Sequence, residues 1–194
     1  MKLYYSPGAC SLAARIVLHE AAIAAEFERV DLKAKVTESG ADYLAINPAG
    51  SVPLLVLDDG AAVTENVAVL DLLAQQAPQL GVPETFAGAL GRTRLLEMLS
   101  FLSSELHIAF KPFWHPDGDR AAGAEAVAKR LDLLEKRLAG PYLFGAAFTV
   151  ADAYLFVMLR WARKFELAVP PRLDALFEAA SQRGAVLQAL AEEA

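Results

Sequence analysis

The chain contains one cysteine, Cys10, and its position is the first feature that could carry chemistry. It follows a short apolar run that ends near Tyr5 and the turn-forming pair Pro7-Gly8, and a helical pattern begins at Cys10 or Ser11. At a helix N-terminus a thiol faces free backbone N–H groups and the positive end of the helix dipole, and both lower its pKa. The position predicts a nucleophilic thiolate, although a lone cysteine can equally be a small buried apolar residue.

The lack of a second cysteine limits what Cys10 can do. No intrachain disulfide can form, so an external thiol must resolve any mixed disulfide at Cys10, and glutathione would serve. A single free cysteine fits a reducing compartment. The first residues lack the apolar stretch of a signal peptide, and no apolar run is long enough to span a bilayer. We therefore expect a cytoplasmic protein.

Charge and composition exclude several classes of partner. A formal net charge of −6 argues against binding to nucleic acid or to an anionic membrane. The 55% of hydrophobic residues support a well-filled core rather than disorder. The three histidines and the single cysteine show no spacing typical of a metal site, so we predict no metal.

Two stretches in the first half could bind a small peptide-like ligand. Val52-Pro53 precedes a predicted strand, and a cis peptide bond there would present the Val52 backbone to an extended peptide. Only about 5–6% of such bonds are cis, so a trans proline is the simpler interpretation. Glu65 and Asn66 lie at a predicted helix start, where Glu65 could bind an ammonium group and the Asn66 N–H a carboxylate. Glu65 could equally do no more than complement the helix dipole.

A long predicted helix in the second half carries a polar stripe at spacings of three and four. Its members are Glu97, Ser100, Ser104, His107 and Lys111. Such a stripe is usually the solvent face of a helix, but His107 could instead face the first half across a cleft, near the thiol.

Other side chains in the second half have structural interpretations that compete with functional ones. Thr149 and Asp152 in "FTVADAY" predict a helix cap rather than a catalytic carboxylate. Four aromatic residues could line an apolar site, although aromatic side chains are more often part of the core. They are Phe110, Phe113, Trp114 and Trp161.

The elements that must position these residues differ between the two halves of the chain. Residues 1–78 follow the order βαβαββα, with "TESGADYLAIN" as a short helix, which predicts an α/β domain with a mixed four-stranded sheet. Residues 79–84 contain proline and glycine and are interpreted as a linker. Residues 85–194 are predicted to be all-helical, with one long helix over "ETFAGALGRTRLLEMLSFLSSELHIAF". The segment "TVADAYLFVMLRWARKF" is apolar on nearly all sides and should form the buried centre.

Six segments together resemble bacterial glutathione S-transferases of the beta class. They are "MKLYYSPGACSLAARIVL", "FERVDL", "TESGADYLAINPAGSVPLLVLDDG", "TENVAVLDLLA", "FLSSELH" and "FTVADAYLF". The resemblance covers nearly the whole chain and becomes thin after about Trp161. It implies a thioredoxin-like N-terminal domain, an all-helical C-terminal domain, a homodimer and glutathione as co-substrate. It also favours a cis bond at Val52-Pro53.

The resemblance implies a role for each candidate site residue. Cys10 would lie beside the glutathione sulfur and could form a mixed disulfide with it, and His107 would be the helix histidine near the thiol. The residues expected to contact glutathione are Ala9, Lys35, Val52, Pro53, Glu65, Asn66, Ser104 and Glu105.

The resemblance assigns these residues to different parts of the glutathione molecule. Lys35 would contact the glycyl carboxylate, Val52 the cysteinyl backbone, and Glu65 with residue 66 the γ-glutamyl end. Ser104 and Glu105 would reach the glutathione bound to the partner subunit.

Four positions depart from the pattern of the beta class. Asn66 stands where serine or glycine is usual, and Ser100 stands where asparagine is common. Ala49 and Ile108 each replace a lysine. These changes would lower the affinity for an anionic peptide, but none removes the thiol.

The leading hypothesis is a glutathione-dependent transferase that acts on small electrophilic or disulfide substrates. Because Cys10 competes with glutathione for the sulfur position, we expect thiol–disulfide exchange or peroxide reduction rather than fast aryl conjugation. One alternative is a non-catalytic protein on the same fold that binds apolar ligands or docks a partner. Another is a glutathione-dependent isomerase or dehalogenase, since the helical half shapes the site of the second substrate.

Overall fold

A computed structural model of the protein describes residues 1–193. The strands are β1 (Lys2–Tyr5), β2 (Glu26–Asp31), β3 (Val36–Thr37), β4 (Leu54–Val56) and β5 (Ala62–Thr64). They form one sheet in the order β3-β2-β1-β4-β5. Strand β1 is parallel to β2 and antiparallel to β4, and β4 pairs antiparallel with β5. The predicted mixed sheet and its terminal hairpin are therefore present.

The sheet has five strands rather than the predicted four. Strand β3 pairs antiparallel with β2, with Thr37 opposite Val30, and Thr37 is the first residue of the stretch that was predicted to be a short helix. Gly40, with φ of +89°, turns the chain after β3, and the Thr37 N–H donates to the Ala41 carbonyl at 2.9 Å. A two-residue strand leaves no periodic pattern in the sequence, which is why the pattern missed it.

The helices of the first half are α1 (Leu12–Glu20), α2 (Tyr43–Ile46) and α3 (Asn66–Gln76). Those that follow are α4 (Glu84–Ala87), α5 (Gly91–Phe101), α6 (Lys111–Trp114), α7 (Arg120–Arg137), α8 (Val150–Lys164), α9 (Pro171–Ser181) and α10 (Gly184–Ala191). Short 3₁₀ turns cover Pro78–Leu80 and Gly88–Leu90. Within residues 1–193 no helix combines the length and apolar character needed to cross a membrane.

The long helix predicted over residues 84–110 is divided. Gly88 has φ of +52°, which separates α4 from α5. After α5, residues Leu102–His107 form a π-helical segment. π-Helical turns are rare and frequently occur at functional sites. Of the predicted polar stripe, Glu97, Ser100, Ser104 and Lys111 are exposed, whereas His107 is partly buried.

Helix α8 is the buried centre of the helical half, as its apolar pattern predicts. Twelve of its fifteen residues are buried. Helix α1 packs against α8 and α10, and one apolar cluster joins the two halves of the chain. The turn that precedes α1 is therefore held in place by the helical half. The boundaries 1–78, 79–84 and 85–194 stay predictions.

The start of α8 confirms the predicted cap. The buried Asp152 carboxylate accepts hydrogen bonds from the Thr149 N–H at 2.8 Å, the Thr149 hydroxyl at 2.6 Å and the Leu143 N–H at 2.8 Å. Burial raises the pKa of Asp152 to about 6. Asp152 is thus a structural group that joins α8 to the loop before it.

Candidate active site

A cleft of about 620 Å³ lies where the turn before α1 meets the helical half. From the first half it is lined by the predicted site residues Ala9, Cys10, Lys35 and Val52, and from the second half by His107. The structure therefore brings the thiol and the histidine to one cavity, as predicted. Of the other residues predicted to contact glutathione, none lines this cavity among residues 1–193. These are Pro53, Glu65, Asn66, Ser104 and Glu105.

Cys10 sits at the wall of the cleft with its sulfur 3.5 Å from the Val52 carbonyl oxygen. Burial raises the pKa of the Cys10 thiol to about 11, and the negative charge of Glu65 adds to the rise. The backbone N–H groups of Cys10 and Ser11 act in the opposite direction but do not overcome burial. The prediction of a lowered pKa is therefore wrong, because desolvation of the buried thiol outweighs the effect of the helix N-terminus.

The turn that carries Cys10 is held on both sides of Gly8, whose φ is +71°. The Trp161 indole N–H donates to the Gly8 carbonyl at 2.8 Å, and the Gly8 N–H donates to the Glu193 carboxylate at 2.8 Å. Both partners belong to the helical half, Trp161 to α8 and Glu193 to the residues after α10. The position of the thiol thus depends on residues more than 150 positions away in the sequence.

His107 ends the π-helical segment and is largely buried. Its Nδ1 lies 2.8 Å from the Tyr154 hydroxyl, and its ring packs edge-on against Trp161 with centroids 4.8 Å apart. Burial, and then the positive charge of Lys111, lowers the pKa of His107. Burial raises the pKa of Tyr154 above its usual value. The pair is therefore neutral at pH 7, with one ring nitrogen engaged by the tyrosine.

The loop before β4 contributes Val52 to the lining of the cleft. The Val52-Pro53 bond is cis, as the resemblance implies. The Ser51 carbonyl accepts from the Tyr43 hydroxyl at 2.7 Å and from the Asn47 amide at 2.9 Å, which anchors the loop. No hydrogen-bond partner for the Val52 N–H is found within residues 1–193.

Lys35 and Glu65 share an unusual backbone conformation. Their φ values are +58° and +66°, in a region that non-glycine residues seldom adopt. The Lys35 ammonium donates to the Gly50 carbonyl at 2.7 Å, and Glu65 is exposed at the start of α3. Such conformations are often retained at ligand-binding sites. No sequence pattern indicated the positive φ of either residue.

Asn66, the first residue of α3, is buried, and its side-chain amide makes no hydrogen bond with the residues that the structure describes. Its backbone N–H belongs to the first helical turn, whose N–H groups have no acceptor within the helix. This end of α3 therefore offers unpaired donors beside an exposed carboxylate.

Ser104 and Glu105 point away from this cleft. Both are exposed, the Ser104 hydroxyl donates to the Ser100 carbonyl at 2.8 Å, and Glu105 pairs with Arg130 at 2.8 Å. Neither residue contributes to the cavity of its own chain. Their assignment to the partner subunit stays a prediction.

Of the four aromatic residues that the sequence suggested for an apolar site, two line the cleft and two belong to the core. Trp114 and Trp161 line the cleft, whereas Phe110 and Phe113 are buried in the core. Tyr154 and Glu193 were not identified from the sequence. Their contacts span 47 and 185 positions, and no local pattern reports contacts of that range.

The sequence and the fold of this chain match those of known proteins. Sequence models of the glutathione S-transferase N-terminal and C-terminal domains match residues 8–76 and 67–181. The glutathione S-transferase GstA of Escherichia coli O157:H7 is 38% identical over all of this chain and 98% of its own. The chain therefore belongs to the glutathione S-transferase family.

Two solved structures agree with this assignment. The sphingomonad glutathione S-transferase in complex with glutathione is 46% identical, with a TM-score of 0.91 over 100% of this chain and 98% of its own. The beta-class glutathione S-transferase of Sphingomonas chungbukensis is 42% identical, with a TM-score of 0.88 over 100% and 98% of the two chains. The resemblance to the beta class is confirmed.

Proposed function

We propose that the cleft binds glutathione and that the protein transfers the glutathionyl group to small electrophiles. One observation carries this proposal. A single cavity in a chain of this family is lined by Cys10, by Val52, whose backbone N–H has no partner within residues 1–193, and by His107. The sphingomonad relative has been solved with glutathione, which supports the same ligand here.

Each part of glutathione has a matching group on the chain. The free Val52 N–H suits the cysteinyl backbone of an extended peptide. The Lys35 ammonium suits the glycyl carboxylate, and the Glu65 carboxylate suits the γ-glutamyl ammonium. The first N–H groups of α3, beginning at Asn66, suit the γ-glutamyl carboxylate.

The raised pKa of Cys10 changes the chemistry we expect. Because burial keeps the Cys10 thiol protonated at neutral pH, its S–H can exchange its contact with the Val52 carbonyl at 3.5 Å for a hydrogen bond to the glutathione sulfur. His107 is neutral, and we propose the tautomer in which Nδ1 accepts from the Tyr154 hydroxyl and the other ring nitrogen carries the proton. Two donors would then stabilise the glutathione thiolate, which is the nucleophile. Conjugation is favoured over the exchange reaction that the sequence suggested.

The conjugation reaction needs no reactant besides glutathione and the electrophile. The thiol proton of glutathione passes to solvent, and the thiolate forms a bond to the electrophilic carbon. The bond from that carbon to the leaving group breaks, and the leaving group departs with the electron pair. The protein supplies orientation and charge stabilisation.

Binding of glutathione by calorimetry, together with conjugation kinetics, tests the proposal. We expect saturable binding that Lys35→Met weakens about tenfold and Lys33→Met, an exposed lysine nearby, does not. A glutathione analogue amidated at the glycyl carboxylate should bind wild type and Lys35→Met with similar affinity. Failure of the wild type to bind glutathione, with apolar ligands still bound, would favour the non-catalytic alternative.

We also propose a cytoplasmic homodimer. The free thiol supports a reducing compartment. Phe86 and Leu90 are 46% and 52% exposed and form apolar surface that a second copy can cover. In that arrangement Ser104 and Glu105 would approach the glutathione of the other subunit. Sedimentation equilibrium of wild type and Phe86→Ser tests the dimer, and a monomeric wild type would contradict it.

A further inference from the structure

We propose that the second substrate is an aromatic electrophile that carries a carboxylate, with its ring against Trp114 and its carboxylate at Lys164. This inference rests on the proposed function, because the second substrate must share the cleft with glutathione. It names the substrate class, which neither the family nor the fold determines.

The first observation is an exposed aromatic surface in the cleft. Trp114 is 43% exposed, although it packs edge-on against Trp161 at 5.5 Å and Phe165 at 4.8 Å between centroids. These contacts hold the indole rigidly while part of it remains accessible to the cavity that it lines. A fixed, exposed indole favours a planar aromatic ligand through offset or edge-on stacking.

The second observation is the charge of the cleft. The chain carries a net charge of −6, yet the described residues that line the cleft include Lys35 and Lys164 and no aspartate or glutamate. Glutathione needs one of these cations for its glycyl carboxylate, and Lys35 is placed for that role beside Gly50. Lys164 remains for another anion.

Lys164 is positioned to serve the same ligand as Trp114. Its ammonium lies over the Trp114 ring, 4.8 Å from the centroid. It also borders a neighbouring pocket that contains Glu166, but no ion pair joins Lys164 to an acidic group within residues 1–193. An aromatic acid would satisfy the ammonium and the indole together. A cationic substrate would be repelled by two lysines, and a neutral one would leave Lys164 with only its contacts to the Trp114 and Phe165 rings.

The reaction of such a substrate follows the chemistry already described. For a chlorodinitrobenzoate, the glutathione thiolate attacks the ring carbon that bears chlorine and forms the C–S bond. The C–Cl bond then breaks, chloride leaves with the electron pair, and the proton of the glutathione thiol is released to solvent. The carboxylate takes no part in bond making, so its contribution to the rate reports recognition alone.

The experiment compares chlorodinitrobenzoate with the neutral chlorodinitrobenzamide, which has the same reacting carbon. We measure kcat/KM for both substrates in wild type, Lys164→Gln and the control Lys136→Gln, an exposed lysine of α7 outside the cleft. The ratio of benzoate to benzamide, corrected for their chemical reactivity with glutathione in solution, should exceed one in wild type. It should fall about three- to fivefold in Lys164→Gln, as expected for one partly exposed ion pair, and stay constant in Lys136→Gln.

Two results would overturn the inference: a corrected wild-type ratio of one or less, or a ratio that Lys164→Gln leaves constant. If the wild type binds glutathione but converts neither compound, conjugation fails rather than the recognition argument. Quenching of tryptophan fluorescence in the glutathione-loaded protein then decides. Weaker benzoate binding in Lys164→Gln, with benzamide binding unaffected, supports the inference, and equal benzoate binding rejects it.

Discussion

At the scale of single residues, the protonation state of Cys10 determines which chemistry the cleft can perform. Burial dominates the environment of the thiol and raises its pKa to about 11. At neutral pH the group is then a hydrogen-bond donor rather than a nucleophile, because only the thiolate attacks. The helix N-terminus, which looked decisive in the sequence, is a smaller effect than the loss of solvent.

Alkylation of Cys10 by iodoacetamide measures this directly, since the chain has no other thiol. The folded pKa is raised, so the thiolate fraction and the rate should increase about tenfold per pH unit from pH 7 to at least pH 9. In the unfolded protein the rate should level off above an ordinary thiol pKa of about 8.5. A rate for the folded protein that levels off below pH 8 would show a thiolate and contradict the burial argument.

A second prediction at the residue scale concerns Tyr154. Its hydroxyl contacts His107 Nδ1 at 2.8 Å, and we expect Tyr154→Phe to lower kcat for conjugation by roughly tenfold. The reason is that the imidazole loses the group that fixes its tautomer. The control is Tyr142→Phe, which alters a buried tyrosine that is not part of the cleft lining. An unchanged kcat in Tyr154→Phe would remove His107 from the proposed donor pair.

At the scale of elements, the end of the helical half positions the turn that carries the thiol. Glu193 accepts from the Gly8 N–H, so we expect Glu193→Ala to raise KM for glutathione a few-fold through a displaced turn. Glu193→Gln keeps an oxygen acceptor and should restore most of the affinity. Steady-state kinetics with a thermal-unfolding control measure this. If the alanine and glutamine variants are equally impaired, charge rather than the hydrogen bond is responsible.

The elements also show what the sequence could and could not predict. Helix α8, the Asp152 cap and the β4–β5 hairpin follow from apolar pattern, cap spacing and turn residues. Strand β3 and the π-helical segment Leu102–His107 do not, because both are short and depend on pairing and packing with distant residues. The π-helical segment positions His107 in the cleft. The sequence was interpreted as a continuous α-helix, which identified His107 as a candidate but not the backbone geometry that positions it.

The candidate site, like the fold, could be predicted from the sequence only in part. Cys10, Val52 and His107 were identified because local chemistry or the resemblance marks them. Two hydrogen bonds hold Gly8, one from the Trp161 indole and one to the Glu193 carboxylate. They join residues that are far apart in the sequence, and no short pattern predicts them. The unusual φ of Glu65 is a property of the folded backbone alone.

At the scale of the whole molecule, Asp152 joins α8 to the preceding loop, and α8 supports both halves. Asp152→Ala leaves three buried donors without an acceptor and should lower the free energy of unfolding by about 3 kcal/mol. Asp132→Ala, an exposed site on α7, should change it by less than about 0.5 kcal/mol. Urea denaturation with an unchanged m-value measures both. A loss below 1 kcal/mol for Asp152→Ala would show that the cap is dispensable.

The Asp152 carboxyl should also make the free energy of unfolding depend on pH. Burial raises the folded pKa of Asp152 to about 6, above the unfolded value of about 3.9, so the folded state binds this proton more tightly. Its contribution to stability is full below about pH 4 and decreases as the pH rises to about 6. The difference in free energy of unfolding between wild type and Asp152→Asn should follow that slope, and a difference independent of pH would contradict it.

The central claim is that the cleft stabilises the thiolate of bound glutathione through donors at Cys10 and His107. Ultraviolet absorbance of the thiolate, titrated against pH with and without saturating glutathione, tests it most directly. Bound glutathione should titrate at least one pH unit below a free thiol of about 8.5, Cys10→Ala should reduce this shift, and the protein alone should show no thiolate at pH 7. Bound glutathione with the pKa of the free tripeptide, or a thiolate signal from the protein alone, would contradict the account.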